Sequence, residues 1–293
     1  MGKKTKIDWC DSTWNPVTGC LHGCAYCYAR RIANRFGGSI RLDLPPDTSW
    51  RANRDDSEEL KKLLMGDFAC HSNGGLHILD EPALNVPVYP APPSEIEKRS
   101  APYPYYFDPT FHRYKLDQPQ KWSEPRTIFV CSMADLFGKW VPDEWIEAVI
   151  NACLAAPQHR YLFLTKNPAR YIELAEKDIL PDDADNMWFG STATTPETEF
   201  FFSVGHNTFL SIEPILKPFH DSLGAGEQAC EKTDWIIIGA ETGNRKDKVI
   251  PKADWIMEIL QNAEKTGTPV FMKDSLRELM GDDFRQEFPW EDE

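Results

Sequence analysis

Three cysteines lie close together near the N-terminus, and their spacing favours metal chemistry. Cys20, Cys24 and Cys27 form a C-x3-C-x2-C motif in the stretch WNPVTGCLHGCAYCYARRIANRF, directly ahead of a helical pattern. Structural zinc sites use four ligands, commonly from two separated C-x2-C pairs, and the other five cysteines stand singly. His22 lies inside the motif and could be a fourth ligand, but the short loop makes this geometry awkward. Three thiolates suit a cubane iron–sulfur cluster whose fourth iron stays open to a substrate or cofactor.

A series of short apolar runs in the second half of the chain predicts a parallel sheet. The runs are rich in Val, Ile and Phe, which is typical of strands buried on both faces. They are TIFVC (127–131), YLFLT (161–165), MWFG (187–190), TFLSI (208–212), WIIIG (235–239) and PVFM (269–272). Amphipathic patterns lie between several of them, so repeated βα units form either a doubly wound sheet or a barrel. We favour the barrel, because polar residues come directly after the strands.

These polar residues are the candidates for binding a ligand. In parallel α/β folds, ligands lie at the carboxyl ends of the strands, where the loops are free to carry chemistry. In chain order, the candidates are Asp135, Lys166, Ser191, Thr192, Glu213, Glu241, Lys273 and Asp274. We expect them to lie at one edge of the barrel.

The region from residue 37 to residue 125 has a different composition. It is rich in Pro, as in LPPD and VPVYPAPPSE, and contains a predicted helix at SEELKKLLMG (57–66). A structureless loop of this length is unusual inside a compact domain, so we interpret it as an inserted cap or lid; a mobile linker is the alternative. We expect four parts: 1–36 with the cysteine loop and first helix of the barrel, the insertion at 37–125, the rest of the barrel at 126–275, and an acidic C-terminal tail at 276–293.

Composition and charge narrow the function classes. The 293-residue chain is 41% hydrophobic, with no apolar run long enough for a membrane span and no apolar signal segment, so we expect a cytoplasmic protein. The net charge of −14 argues against binding nucleic acid over a broad surface. A local basic groove is still compatible with that charge, and its candidate residues are Arg113, Lys115, Lys121 and Arg126.

With Tyr26 just before the last cysteine, the motif resembles the signature of the radical S-adenosylmethionine (radical SAM) superfamily. More narrowly, the chain resembles a phage-associated, largely uncharacterised radical SAM-like family. The matching segments are IDWCDSTWNPVTGC, FHRYKLDQPQKWSEPRTIFVCSMADLFG, YLFLTKNPAR, FLSIEPIL, WIIIGAETG and FMKDS. The chain departs from the family pattern where it has GAETG for GGESG, GSTATTP for GVSVEN and FMKDS for FKQWG.

The resemblance implies a fold and a set of cofactors. The fold is a partial (β/α)6 TIM-like barrel with the long Pro-rich insertion after its first helix. Cys20, Cys24 and Cys27 would hold a [4Fe–4S] cluster, the methionine part of SAM would bind the fourth iron, and Tyr26 would lie near the adenine. An external one-electron donor of the flavodoxin or ferredoxin type would reduce the cluster.

The resemblance also implies roles for the polar residues after the strands. Asp135 would bind the SAM amino group, or it caps a helix. Lys166 and Lys273 would bind the SAM carboxylate or a substrate anion, or they are solvated charges.

Four further residues have a binding and a structural interpretation. Ser191 and Thr192 would bind ribose hydroxyls, or they cap the next helix. Glu213 and Glu241 would bind ribose or orient the substrate, or they hydrogen-bond a neighbouring loop.

The leading hypothesis is therefore a radical SAM enzyme, in which reductive cleavage of SAM yields a 5′-deoxyadenosyl radical that abstracts hydrogen from a substrate. The resemblance to phage-encoded proteins favours a nucleotide or a DNA base as that substrate. The alternatives are an iron–sulfur protein with a structural, regulatory or redox-sensing cluster and no SAM turnover, and a zinc-stabilised interaction module.

Overall fold

The computed structural model describes residues 5–38, 74–85, 99–219 and 224–291. The strands are β1 (Ser12–Trp14), β2 (Val17–Thr18), β3 (His77–Leu79), β4 (Leu84–Asn85), β5 (Arg99–Ser100), β6 (Thr110–His112), β7 (Thr127–Val130), β8 (Arg160–Thr165), β9 (Met187–Ala193), β10 (Asn207–Ile212), β11 (Ile236–Ile238) and β12 (Val270–Met272). The α-helices are α1 (Tyr28–Phe36), α2 (Asp143–Leu154), α3 (Ala169–Ala175), α4 (Ala225–Lys232), α5 (Ala253–Thr266) and α6 (Arg277–Met280). None of the helices in these ranges is long and apolar enough to cross a membrane. The helix predicted at 57–66 lies outside the described residues.

The chain divides into two compact units. Residues 1–14 and 117–293 form one, which we call the sheet unit; residues 15–116 form the other, which we call the cysteine unit. The cysteine motif and α1 are thus grouped with the described parts of the predicted insertion. The boundaries expected from composition lay instead after residues 36 and 125.

Seven parallel strands form the sheet of the sheet unit, in the order β1-β7-β8-β9-β10-β11-β12. The six predicted apolar runs are β7 to β12, and β1 precedes the cysteine motif. Each strand pairs with the next one of the sheet unit along the chain, which is the arrangement of a curled half-barrel. The prediction of a partial TIM-like barrel is confirmed.

The two faces of this sheet bury different sets of side chains, because successive residues of a strand point to opposite faces. In β11, Ile236 and Ile238 belong to a cluster that includes residues of α4 and α5, whereas Ile237 belongs to a second cluster. The second cluster, which we call the aromatic cluster, consists of Trp9, Cys10, Phe129, Leu162, Trp188, Phe209, Trp235, Ile237 and Phe271.

Segments near both ends of the sequence complete the aromatic cluster. The Trp9 ring lies 4.6 Å from that of Phe129, and the Trp290 ring lies 5.2 Å from that of Trp235. The C-terminal segment runs beside β12, where the Met272 amide donates to Arg285 O and the Glu287 amide donates to Val270 O. The acidic stretch expected as a tail therefore contains residues that pair with the sheet.

The cysteine unit contains a three-stranded sheet in the order β2-β6-β3 and a separate β4–β5 pair. His112 of β6 is fully buried, with Thr18 Oγ1 2.9 Å from Nε2 and the Tyr114 hydroxyl 3.3 Å from Nδ1. Burial, with a smaller contribution from Lys115, lowers the pKa of His112 to about 3. The imidazole is therefore neutral at physiological pH and ties β2 to β6.

Candidate functional site

The cysteine loop begins at a glycine that no other residue could replace without strain. Gly19 has a φ of +88°, a region that favours glycine. A Cβ there would lie 2.1 Å from the carbonyl oxygen of Asp108. The next residue, Cys20, donates its amide to Phe107 O at 3.1 Å. The strand β2 and the backbone at residues 107–108 thus fix where the loop starts.

The loop ends at the N-terminus of α1, where Cys27 is the N-cap. Its sulfur accepts the Arg30 amide at 3.3 Å, and its own amide donates to Cys24 O at 3.2 Å. The Arg30 guanidinium donates to Cys20 O at 3.2 Å and lies 5.3 Å from the centre of the Phe107 ring. Arg30 therefore connects both ends of the cysteine loop. Backbone N–H donors to sulfur are one of the means by which proteins tune iron–sulfur sites.

The donor set of this loop fits a cluster with one open iron. Cys20, Cys24 and Cys27 are free thiols of intermediate exposure, whereas Cys10, Cys131, Cys153 and Cys230 are buried. Across the described ranges, no three His, Cys, Asp or Glu side chains are gathered closely enough to hold a metal ion. The three thiols thus share one loop in the right number without a preassembled coordination group. Metal binding is commonly coupled to local folding of this kind.

A histidine that sequence reasoning missed lies beside the start of this loop. His77 Nε2 is 3.5 Å from Asp108 Oδ2, and its ring is stacked on Tyr105 at 3.6 Å. The Gly74 amide donates to the same carboxylate oxygen at 3.0 Å. These contacts hold Asp108, whose carbonyl oxygen lies against Gly19. His77 has no motif around it, so only its spatial neighbours reveal it. Tyr26, predicted near the adenine, is half-buried between the second and third cysteines.

In the sheet unit, the Asp135 carboxylate connects the ends of two neighbouring strands. Oδ1 accepts the Phe137 amide at 3.1 Å and the Thr165 hydroxyl at 2.7 Å, and Oδ2 accepts the Lys166 amide at 2.9 Å. The residue is only 5% exposed. No helix begins after Asp135, because residues 136–140 form turns, so the capping interpretation was wrong. Binding of the SAM amino group stays a prediction.

We expected Ser191 and Thr192 to follow their strand, but both residues lie within it. The strand β9 continues to Ala193, and both side chains are buried. Ser191 Oγ accepts the Phe201 amide at 2.9 Å. Thr192 pairs with Ser211 and lies on the opposite face from Ser191. The prediction of their position was wrong because hydrogen bonding to β10 extends the strand through two polar residues.

The structure brings Glu213 and Lys273 together as an ion pair, which we call the rim pair. Glu213 Oε1 lies 2.8 Å from Lys273 Nζ, and the two side chains are 18% and 29% exposed. Ser211 donates its hydroxyl to Glu213 Oε2 at 2.9 Å. Gly239, at the end of β11, lies beneath the pair: a Cβ there would be 2.6 Å from Glu213 Oε1 and 2.9 Å from Lys273 Cδ. The pair can span β11 only because that residue has no side chain.

Electrostatics of the rim pair favour a charged lysine beside a protonated thiol. Burial opposes the charge of Lys273, but Glu213, with a smaller contribution from Asp8, outweighs it and raises the pKa of the ammonium. Burial raises the pKa of Cys10 to about 12. Cys10 is therefore a thiol at neutral pH, and Lys273 is a cation held by Glu213.

Glu241 forms a separate ion pair in the loop after β11. Its two carboxylate oxygens accept from Arg245 Nε at 2.6 Å and Nη2 at 2.7 Å, and its side chain is 2% exposed. The hydrogen bond from Arg245 lowers the pKa of Glu241, although burial opposes this. In the sequence, the four-residue spacing between Glu241 and Arg245 was the signal that could have predicted this ion pair. Five of the predicted polar residues, Asp135, Lys166, Glu213, Glu241 and Lys273, thus belong to three local networks, one each around Asp135, the rim pair and Glu241.

The cations of the predicted basic groove are each engaged. Arg113 pairs with Asp80 at 2.6 Å, and Lys121 pairs with Asp117 at 2.6 Å. Lys115 donates to a backbone carbonyl at 3.3 Å, and Arg126 lies 4.9 Å from the Trp122 ring. Two of the four belong to each unit.

Comparison with known proteins gives one family. A family model described as "Protein of unknown function (DUF5131)" matches residues 4–63 and 96–279. The chain belongs to the DUF5131 family. No curated protein matches it. Among solved structures, "Spore photoproduct lyase complexed with dinucleoside spore photoproduct" is similar, with a TM-score of 0.40 and 12% identity, over 88% of this chain and 75% of that chain.

The DUF5131 match covers every predicted site residue. Cys20, Tyr26 and the other motif residues fall in its first segment, and the candidates from Asp135 to Lys273 fall in its second. The gap between the segments, residues 64–95, lies within the predicted insertion and contains His77.

Proposed function

We propose that this DUF5131 member is a radical SAM enzyme. The observation that carries the proposal is a loop with three partly exposed thiols and no fourth cysteine within its motif, which follows the first strand of the parallel half-barrel in the sequence. Three protein ligands leave one iron of a cubane open, as catalytic metal sites require. The other described cysteines are buried, which suits free thiols with no metal role.

In this proposal Cys20, Cys24 and Cys27 hold a [4Fe–4S] cluster. The chemistry supplied at this loop would be one-electron reduction of SAM to a 5′-deoxyadenosyl radical, with an external donor of the flavodoxin or ferredoxin type as the source of the electron. Arg30, which binds Cys20 O, holds the loop against α1.

The rim pair is the proposed anchor for the carboxylate of SAM or for an anionic substrate. A carboxylate that reached Lys273 would replace Glu213 as its partner, and Glu213 would then be available to a hydroxyl or ammonium group. Thr192 lies on the same face of the sheet as Ser211, which supports the earlier assignment of Thr192 to a ribose. Ser191 lies on the other face and is withdrawn from the proposed site. Asp135, Lys166, Glu241 and Tyr26 keep their proposed contacts to SAM.

For the substrate, we propose a nucleotide or a DNA base, following the resemblance to phage-encoded proteins. A free nucleotide suits the chain better than duplex DNA, because the net charge is −14 and the cations of the predicted groove already have partners. We also propose a cytoplasmic location, since a cluster held by thiolates and many free cysteines suit a reducing compartment.

The test is anaerobic reconstitution with iron and sulfide, followed by dithionite and SAM. Wild type should form 5′-deoxyadenosine, Cys24→Ser should form none, and Cys230→Ala, which removes a buried thiol on α4, should match wild type. A cluster whose EPR signal does not respond to SAM would favour a structural or redox-sensing role instead. Bound zinc without iron would favour the zinc-stabilised interaction module.

A further inference from the structure

The helix that follows the cysteine loop has an exposed apolar stripe. Tyr28, Ile32 and Phe36 are 45%, 38% and 54% exposed. Their spacing of four residues places them on one face of α1. Ala29 and Ala33 are the buried residues of α1, so the helix packs through small side chains and presents its large ones outward. Leu21, in the cysteine loop, is 44% exposed as well.

Two arginines lie beside this stripe. Arg31 and Arg35 are exposed, and α1 contains no acidic residue. Within the part of the chain that the structure describes, neither arginine makes a salt bridge; the Arg35 guanidinium lies 5.3 Å from the Phe36 ring. The chain as a whole has a net charge of −14, whereas α1 carries a positive net charge.

We propose that this surface docks an acidic one-electron carrier protein that reduces the cluster. We call it the docking face, and it consists of Tyr28, Arg31, Ile32, Arg35 and Phe36 of α1. The inference rests on the proposed function, since it names the surface for the electron donor. The reduced carrier loses one electron and the cluster gains it.

The composition of the docking face matches a transient protein interface. Such interfaces combine an apolar, aromatic centre with a polar rim and are enriched in Arg. Opposite charges on the partner raise the rate of encounter more than they raise affinity, which suits a carrier that must leave after each electron. Tyr28 directly follows Cys27, so a carrier bound to α1 is held next to the cysteine loop.

Nucleic acid fits the docking face less well than an acidic protein does. Two arginines neutralise about two phosphates, which gives a slope of log K against log salt of only about −2. Tyr28 and Phe36 offer rings for stacking on bases, but Ile32 between them offers neither a ring nor a charge. The stripe gains burial only against another apolar surface.

The test compares Arg31→Glu/Arg35→Glu with a control of equal charge change, Lys232→Glu/Lys265→Glu, which reverses two exposed lysines on α4 and α5. An acidic flavodoxin, kept reduced by its reductase and NADPH, reduces the reconstituted protein in a stopped-flow instrument at low salt. The docking-face variant should lose about tenfold or more in the second-order rate constant, because electrostatic steering contributes at least this much. The control should keep the wild-type rate, and both variants should keep wild-type iron content and dithionite-supported product.

Binding of the same flavodoxin, measured by biolayer interferometry, separates this inference from the proposed function. Weaker binding by the docking-face variant alone supports the docking face, whether or not SAM is cleaved. Equal rates and equal binding in the two variants would overturn it. Binding of a DNA oligonucleotide that displaces the flavodoxin and is lost in the docking-face variant would overturn it in favour of a nucleic-acid surface. Absence of 5′-deoxyadenosine with dithionite would count against the proposed function alone.

Discussion

Lowering the pH from 7 to 5 should destabilise the cysteine unit, because the buried imidazole of His112 resists protonation. Its pKa is lowered from 6.5 to about 3 by burial, with Lys115 adding to the effect, whereas the unfolded chain keeps a value of about 6.5. The unfolded state therefore takes up a proton that the folded state does not. Stability is fully present above a pH of about 6.5 and falls below it by about 1.4 kcal/mol per pH unit, down to the folded pKa. Between pH 7 and pH 5 the loss is about 2 kcal/mol.

The assay is amide hydrogen exchange at β2 and β6, the strands that His112 and Thr18 connect. After correction for intrinsic exchange, the opening constant of wild type should rise about 30-fold from pH 7 to pH 5, which is the equivalent of about 2 kcal/mol. His112→Gln should lack this dependence, because an amide does not titrate. His22→Gln removes an exposed imidazole and is the matched control. The same pH dependence in wild type and His112→Gln would refute the reasoning.

Three further predictions concern the sheet unit. Gly239→Ala should lower the free energy of unfolding by about 1–3 kcal/mol through its clash with the rim pair, whereas Gly205→Ala, with nothing within 4 Å, should be nearly neutral in the same thermal unfolding assay; equal shifts would contradict the geometry. Asp135→Asn should cost about 1–3 kcal/mol in urea unfolding, because an amide N–H₂ would face one of the three donors, and an unchanged midpoint would argue against its connecting role. Glu241→Gln should be less stable than wild type at pH 7, and this difference in stability should shrink below the ordinary Glu pKa of about 4.3. The reason is that the pKa of Glu241 is lowered in the folded protein. The stability it contributes is present above the pKa of the unfolded state and is lost as the pH falls through the pKa of the folded state. A difference that stays constant down to pH 3 would show that the carboxylate does not act through its charge.

The sheet could be predicted because its signal is local. Each of the strands β7 to β12 is a short apolar run, and a run of this kind is readable without knowledge of its neighbours. The end of β9 could not be predicted from the sequence, since Ser191 and Thr192 are polar and extend the strand only through pairing with β10. The aromatic cluster was not readable either, because Trp9 and Trp290 reach it from opposite ends of the sequence.

The site was predicted in part for the same reason. The three cysteines lie within eight residues, so their common role is visible from spacing alone. The contact of Gly19 with Asp108 joins residues 89 positions apart, and the rim pair joins residues 60 positions apart. Contacts of this separation depend on the fold and carry no local pattern. They decide which polar residues are held by internal partners and which are available to a ligand.

The measurement that tests the central claim most directly is Mössbauer spectroscopy of the protein reconstituted with ⁵⁷Fe, with and without SAM. The account predicts four irons per chain, of which one changes its isomer shift when SAM is added, since three thiolates leave one iron without a protein ligand. His22→Ala should give the same spectra as wild type, because His22 is exposed and is not a ligand in this account. Four irons whose isomer shifts do not change when SAM is added, or loss of the cluster in His22→Ala, would contradict the claim.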